Sequence, residues 1–523
     1  MPRVPKGKGG LSAGERVRLY EQEREERMKR ISSLDADAVN VAEGEQNAVD
    51  EPAAEVTAVE EQVIVQKEKK VLPKPQSATV KVDLSVDIGT VGEMHGFCNG
   101  PVSYGADITP LFKEIGVPAV RFDATDGANS AYAVDISRIF KDVSADPNDP
   151  RSYDFAVTDK YVSAAYKLGA RIIFRLGESR DKLCCEKKAN IPENIDLWIN
   201  VCANVIRHYN DYFAGGYAFG IEYFEIWSHD YDLDKSDWAA EFEFYRRVAS
   251  TVKMLDPYLK VGGMLFRGFD DAAREFIRFC RKGKATLDFI TLSLFESDPL
   301  ELFRKVSDAN AYVKNQGLES TEIIVGEWGY ADAKALSGLD FYSALASDNV
   351  GDLKRAVFES QASIKGAAFA AATLLELNSQ NVVRGAFFCD AQPMISPFTA
   401  ICDRFGKPQK PFYAFKAFGE LYRAGKATLC EVERTSGYAH SGIYACAARS
   451  MNGECYIMIA SHGGCGTVDL RIDGIPDNLY TADMFLLDGV KDLALGSSTP
   501  ISGAKKRMIL SLCEYGAVLI KLY

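Results

Sequence analysis

Two short apolar runs end on side chains that can do chemistry. Glu327 closes Ile323-Ile324-Val325-Gly326-Glu327 just before Trp328, and an earlier run reads Tyr223-Phe224-Glu225-Ile226-Trp227-Ser228-His229-Asp230. Burying an unpaired carboxylate costs several kcal/mol, so an acid at the end of an apolar strand has either a partner or a task. Glu327 presents a nucleophile or base. His229 presents an imidazole with a reference pKa near 6.5, which can give or take a proton near neutral pH. Retaining sugar hydrolysis needs two carboxyls about 5–5.5 Å apart. Glu225 shares a strand face with His229 but lies four residues down, roughly 13 Å deeper at 3.3 Å per residue, and reads as a core carboxylate paired inside the fold.

Those runs need a scaffold that brings strand ends together. Apolar runs fit strands at Glu93–Cys98, Ala119–Asp123, Arg171–Leu176, Tyr223–Ser228, Lys260–Leu265, Phe289–Phe295, Ile323–Trp328 and Gly385–Asp390. Helical patterns separate them at 108–115, 155–168, 191–209, 238–255, 272–281, 300–315 and 353–377, and a last one covers 411–422. Strand–helix alternation repeated eight times predicts an α/β fold, a (β/α)8 TIM barrel over residues 78–424, whose chemistry lies at the strand C-termini. After Gly425 short alternating strands follow, separated by Asn452-Gly453, Gly463-Gly464 and Asp488-Gly489 turns. They predict a C-terminal β-sandwich over 425–523.

Residues 1–75 read differently. Residues 1–32 hold nine Lys/Arg against five Asp/Glu, and Ser12-Ala13-Gly14-Glu15 fits a capping box before a charged helix. Residues 33–70 are acidic and nearly free of aromatics, the composition of a disordered linker. A tethered charged helix suits a solvated tail or a protein partner bound through residues 1–32.

The 523 residues carry a net charge of -12, which argues against a nucleic-acid partner. No run reaches the length of a membrane span, and no apolar leader opens the chain. The 12 cysteines form no C-x-x-C pair and read as reduced thiols in a cytoplasmic protein. No ligand spacing points to a metal, no phosphate loop is present, and no cofactor is implied.

Landmarks along the chain are His95-Gly96-Phe97-Cys98-Asn99-Gly100-Pro101, Val120-Arg121-Phe122, Phe174-Arg175-Leu176-Gly177, Tyr223-Phe224-Glu225-Ile226-Trp227, Gly326-Glu327-Trp328 and Pro411-Phe412-Tyr413-Ala414-Phe415-Lys416. In this order the chain from about 85 to 523 resembles glycoside hydrolase family 39, the β-xylosidase and α-L-iduronidase family. The resemblance implies a carbohydrate ligand, Glu327 as nucleophile, and Arg121, Asp123, Asn99, Trp227, Ser228, Ser293, Trp328 and Asp390 around the sugar. The two tryptophans suit a hydrophobic core equally well.

The chain departs from the family pattern at several of these places. Trp-Asn-Glu-Pro, with its acid/base Glu, becomes Trp227-Ser228-His229-Asp230. Arg-x-His becomes Arg121-Phe122-Asp123, and Ser-Trp-His-x-Tyr becomes Thr291-Leu292-Ser293-Leu294-Phe295. Asp-Ala-Arg-Pro becomes Asp390-Ala391-Gln392-Pro393. The expectation is a glycosidase-derived protein whose retaining mechanism is impaired. Its alternatives are an active glycosidase using His229 or Asp123 as proton donor, and an interaction module targeted by its N-terminal helix.

Overall fold

The computed structural model describes residues 77–103, 106–122, 133–178, 194–229, 231, 233–332, 350–380, 382–391, 401–403, 405–433, 442–464, 466–475, 479–502 and 506–523. The expected N-terminal helix and linker, Asp123 and Gln392 lie outside these residues.

The first strand, β1 (Ala78–Thr90), belongs to the C-terminal sheet. The barrel begins at β2 (Gly96–Cys98). A hairpin, β3 (Val102–Ser103) and β4 (Ala106–Asp107), leads to helix α1 (Thr109–Ile115) and to β5 (Ala119–Phe122). Helices α2 (Ile136–Ile139) and α3 (Ala156–Lys167) precede β6 (Arg171–Leu176), and α4 (Ile195–Asn210) precedes β7 (Tyr223–Ser228). Then come α5 (Trp238–Leu255), β8 (Lys260–Leu265), α6 (Asp271–Gly283), β9 (Phe289–Glu296), α7 (Pro299–Asn315) and β10 (Glu322–Tyr330). Helices α8 (Val350–Gln361) and α9 (Ile364–Gln380), strand β11 (Gly385–Phe388) and α10 (Lys410–Ala424) complete the barrel region.

The eight strands close in the order β10-β11-β2-β5-β6-β7-β8-β9, parallel throughout. Their near-continuous burial is what a parallel sheet covered by helices requires. The single helix expected over 353–377 is two helices. Ser363 Oγ accepts from the Gly366 backbone N–H at 3.3 Å and caps the second where the first ends.

The remaining strands are β12 (Lys426–Glu433), β13 (Ile443–Arg449), β14 (Cys455–His462), β15 (Gly466–Asp473), β16 (Tyr480–Leu487), β17 (Asp492–Ile501), β18 (Lys506–Leu512) and β19 (Tyr515–Leu522). With β1 they form one sandwich-like sheet in the order β17-β16-β19-β14-β13-β12-β1-β15-β18. The barrel boundary expected at 78 is therefore corrected. Val80, Val82 and Leu84 are buried while Lys81 and Asp83 alternate with them, a one-faced pattern that suits the sheet, where β1 runs antiparallel to β12 and parallel to β15. One sheet face has its own core with Ile457, Leu470 and Ile520, and the other sends Tyr444, Met458 and Leu519 into the barrel core. Among the described residues no helix is long and apolar enough to cross a membrane.

His95, at the entrance to β2, is fully buried between the Phe418 and Tyr422 rings, and its Nε2–H donates to Gly116 O at 3.1 Å. Burial pushes its pKa down from 6.5 to about 3. The neutral ring thus contributes stability that is full above about 6.5 and is lost as pH falls toward 3, because the unfolded chain takes up the proton first. His462 is lowered to about 4, also by burial, and acts in the same direction. Urea titrations at pH 7 and pH 5 should show the native protein losing about 2 kcal/mol more than a His95→Leu variant over that interval. Equal losses would remove His95 as an acid-sensitive group.

Candidate active site

Arg121 on β5 stands inside the barrel with no exposed side-chain surface. Its Nε donates to Glu225 Oε2 at 2.6 Å and its Nη2 to Glu225 Oε1 at 3.0 Å, a bidentate pair. Thr291 Oγ1 donates to the same carboxylate at 2.8 Å, so Glu225 is the paired core acid its strand position predicts. Arg121 Nη1 turns to the next layer, 3.4 Å from Gly326 O and 3.7 Å from Glu327 Oε1.

Glu327 is raised into that layer by a bulge. On β10 the register with β9 runs Val325 to Leu292 and then Glu327 to Ser293, leaving Gly326 as the extra residue. A side chain at 326 would meet Leu265 Cδ1 at 3.0 Å and Arg121 Nε at 3.3 Å, so glycine is what lets the strand pass the guanidinium. Ser293 Oγ donates to Glu327 Oε2 at 2.8 Å, and Glu327 is 3% exposed. Beside this pair Asn99, held at φ 64, donates through Nδ2 to Asp390 Oδ2 at 3.2 Å. Asn99 and Asp390 lie just past β2 and β11, Arg121 one residue before the end of β5, and Ser293 and Glu327 three residues before the ends of β9 and β10.

The end of β7 turns away from this arrangement. Trp227 adopts φ 58, the left-handed region that a bulky residue enters only at a cost. His229 follows two residues on, and its Nδ1 lies 2.6 Å from Glu241 Oε2 on α5, with neither side chain exposed. The rings of Tyr231, Trp238 and Phe266 stand 4.7, 5.3 and 5.4 Å from the imidazole. His229 Nε2 is buried without a hydrogen-bond partner among the described residues. The imidazole therefore faces a helix and an aromatic box, where strict strand alternation would have aimed it across the barrel end from Glu327.

Both tryptophans proposed as sugar contacts are core residues. Trp227 is 1% exposed and packs edge-on against Phe244 of α5, and Trp328 is fully buried against Phe388 and Phe415. Ser228 is buried at the end of β7. Two further acids at strand C-termini are engaged: Glu178, just after β6, accepts from Ser137 N at 2.8 Å, and Glu296, the last residue of β9, pairs with Lys305. The sequence shows Thr291 only as a departure from the family pattern, without its Glu225 partner, and gives no sign of Glu241. Glu241 carries no motif and reaches His229 only through the turn that follows Trp227.

The family model for glycosyl hydrolases family 39 matches residues 134–314, a span that includes the Tyr223–His229 run and ends before Glu327. The chain is 25% identical over 179 residues to a β-xylosidase of Geobacillus stearothermophilus, covering 30% of this chain and 34% of that protein, so the match spans about a third of the relative's length. In structure it is similar to a glucosidase from Croceicoccus marinus, with TM-score 0.66 and 20% identity over 86% of this chain and 99% of that one. A monomeric β-xylosidase from Caulobacter crescentus gives TM-score 0.60 and 14% identity over 86% and 99%. An α-L-arabinofuranosidase from Thermotoga maritima gives 0.57 and 14% over 85% and 99%. These structural likenesses carry the fold.

The Arg121 network makes a sharp stability prediction. Arg121→Met should cost about 3–5 kcal/mol, since it leaves the Glu225 charge buried without its cation. Arg121→Lys should recover little, because an ammonium cannot form the bidentate pair. Arg121→Met/Glu225→Met should regain most of the loss in the same denaturant titration. A double variant no more stable than the single would show that the pair is not what Arg121 supports.

Proposed function

We propose that the chain is a divergent member of glycoside hydrolase family 39, a β-xylosidase-like protein that binds a glycoside beside Glu327 but lacks the usual proton donor. The observation that carries this reading is the His229–Glu241 pair. By the resemblance His229 stands where the family has its acid/base Glu, and its imidazole is buried, hydrogen-bonded to a helix and boxed by aromatic rings. Glu327 keeps the setting of a nucleophile, with one oxygen on the Ser293 hydroxyl and the other near Arg121.

In a retaining mechanism the nucleophile attacks the anomeric carbon while an acid protonates the departing oxygen, and water then cleaves the glycosyl-enzyme with help from the same group. Positioned general acid catalysis is worth about 10²–10⁴ in rate. A glycoside with a good leaving group needs no such proton. A dinitrophenyl β-xyloside should therefore release a burst of phenol and leave a sugar adduct on Glu327, seen by mass spectrometry and absent in Glu327→Gln. Alkyl xylosides should turn over at least 10²-fold more slowly than in ordinary family members. Turnover of alkyl xylosides at typical rates of about 1–10³ s⁻¹, abolished by Glu327→Gln, would refute the impairment.

A second reading rests on the same pair. Glu241 fixes the Nδ1 side of His229 and leaves Nε2 as the atom that could carry a transferable proton. Hydrolysis of alkyl xylosides would then be lost in His229→Asn and slowed in Glu241→Gln. Undiminished hydrolysis in His229→Asn ends this reading.

A further inference from the structure

Cys98 ends β2, Cys389 follows β11, and Glu327 stands on β10, so three neighbouring strands of the closed barrel meet at these residues. Cys98 Sγ, Cys389 Sγ and a carboxylate oxygen of Glu327 all lie within 4.8 Å of one another, and all three residues are buried. We propose that these three side chains form a binding site for one thiophilic divalent cation of the zinc class.

The donor geometry carries the proposal. A tetrahedral zinc site with Zn–S near 2.3 Å and Zn–O near 2.0–2.2 Å sets its ligand atoms roughly 3.5–3.8 Å apart. Donors already within 4.8 Å reach that spacing by closing about 1 Å. Two sulfurs and one carboxylate favour zinc, cadmium or cobalt over magnesium or calcium, which take oxygen ligands. Three protein donors leave the fourth position for water or for an incoming ligand.

The surroundings are compatible with the charge. The Cys98 thiol donates to Gly326 O at 3.1 Å, and this proton is one of two released to solvent as the metal–sulfur bonds form. Arg121 Nη1, 4.0 Å from Cys98 Sγ and 3.7 Å from Glu327, offsets part of the negative charge that two thiolates and a carboxylate bring. No spacing motif announces the site because its donors come from residues 98, 327 and 389. The inference is independent of the glycosidase reading, since its test follows metal binding and not hydrolysis.

The full chain, reduced and freed of metal by a chelator, is titrated with cobalt or cadmium alone and followed by thiolate-to-metal charge-transfer absorption. The expected result is a band that saturates at one equivalent and is untouched by excess magnesium. Cys98→Ser and Cys389→Ser should each weaken binding roughly tenfold or more and diminish the band. Glu327→Gln should keep the band at lower affinity, and Cys184→Ser/Cys185→Ser should bind as the native chain does. Absence of a band, undiminished binding in either single serine variant or in Glu327→Gln, or loss of binding in the Cys184/Cys185 variant would overturn the proposal. Should a serine variant fail to fold, X-ray absorption of the native complex decides: two sulfur neighbours support the site, and any other number overturns it.

Discussion

A permanently charged guanidinium sealed inside a barrel has to be met by anions and carbonyls, because arginine cannot shed its proton. Arg121 is that group, and the architecture around Glu327 follows from satisfying it. Glu225 on β7 supplies two hydrogen bonds, Thr291 on β9 holds Glu225 in place, and the Gly326 carbonyl on β10 turns toward the remaining nitrogen. Four strands are thereby fixed relative to one another through one side chain. The bulge at Gly326 is part of the same solution, since a β-carbon there would press on Arg121 and Leu265. Glu327 emerges from that bulge, beside Ser293, in a place the charge network has defined.

His229 obeys a different constraint. Glu241 is buried on α5 and needs a donor, and the turn at Trp227 delivers His229 to it. Were residue 229 a carboxylate in this orientation, two acids would face each other in a buried site, and like charges so placed cannot both ionise. A histidine at 229 and a glutamate at 241 are physically consistent with each other in a way that two acids would not be. The box of Tyr231, Trp238 and Phe266 then closes on the imidazole from the sides Glu241 leaves open.

The barrel was legible because parallel strands covered by helices are continuous apolar runs, and all eight surface as such in the sequence. Residues 78–90 fell inside the expected barrel with no strand assigned to them, although the alternation of Val80, Val82 and Leu84 with Lys81 and Asp83 marks a sheet with one buried face. In β17 only Ile501 of ten residues is buried, so its sequence lacks the alternation of a half-buried strand. At the site, Glu327 was visible from its place in an apolar strand, and Arg121 only through the family resemblance. The direction of His229 could not be read, because extrapolating a two-residue period fails where Trp227 enters the left-handed region. The closeness of Cys98 to Cys389 was equally hidden, since barrel closure brings together residues almost three hundred apart.

Whether Glu327 is merely structural turns on which carboxylate Arg121 requires. Glu225 already engages two of its nitrogens at 2.6 and 3.0 Å, whereas Glu327 stands 3.7 Å from the third. Charge–charge attraction falls with distance, and a hydrogen-bonded bidentate pair is the stronger contact, so the guanidinium is satisfied mainly by Glu225. A carboxylate at 327 is then dispensable for holding Arg121, and keeping it buried there costs desolvation that Arg121 repays only in part. The Ser293 hydroxyl holds one of its oxygens, which orients the group without demanding its charge. A carboxylate that is costly to bury, oriented by Ser293 and not the main partner of the core's cation is not explained by the Arg121 network alone.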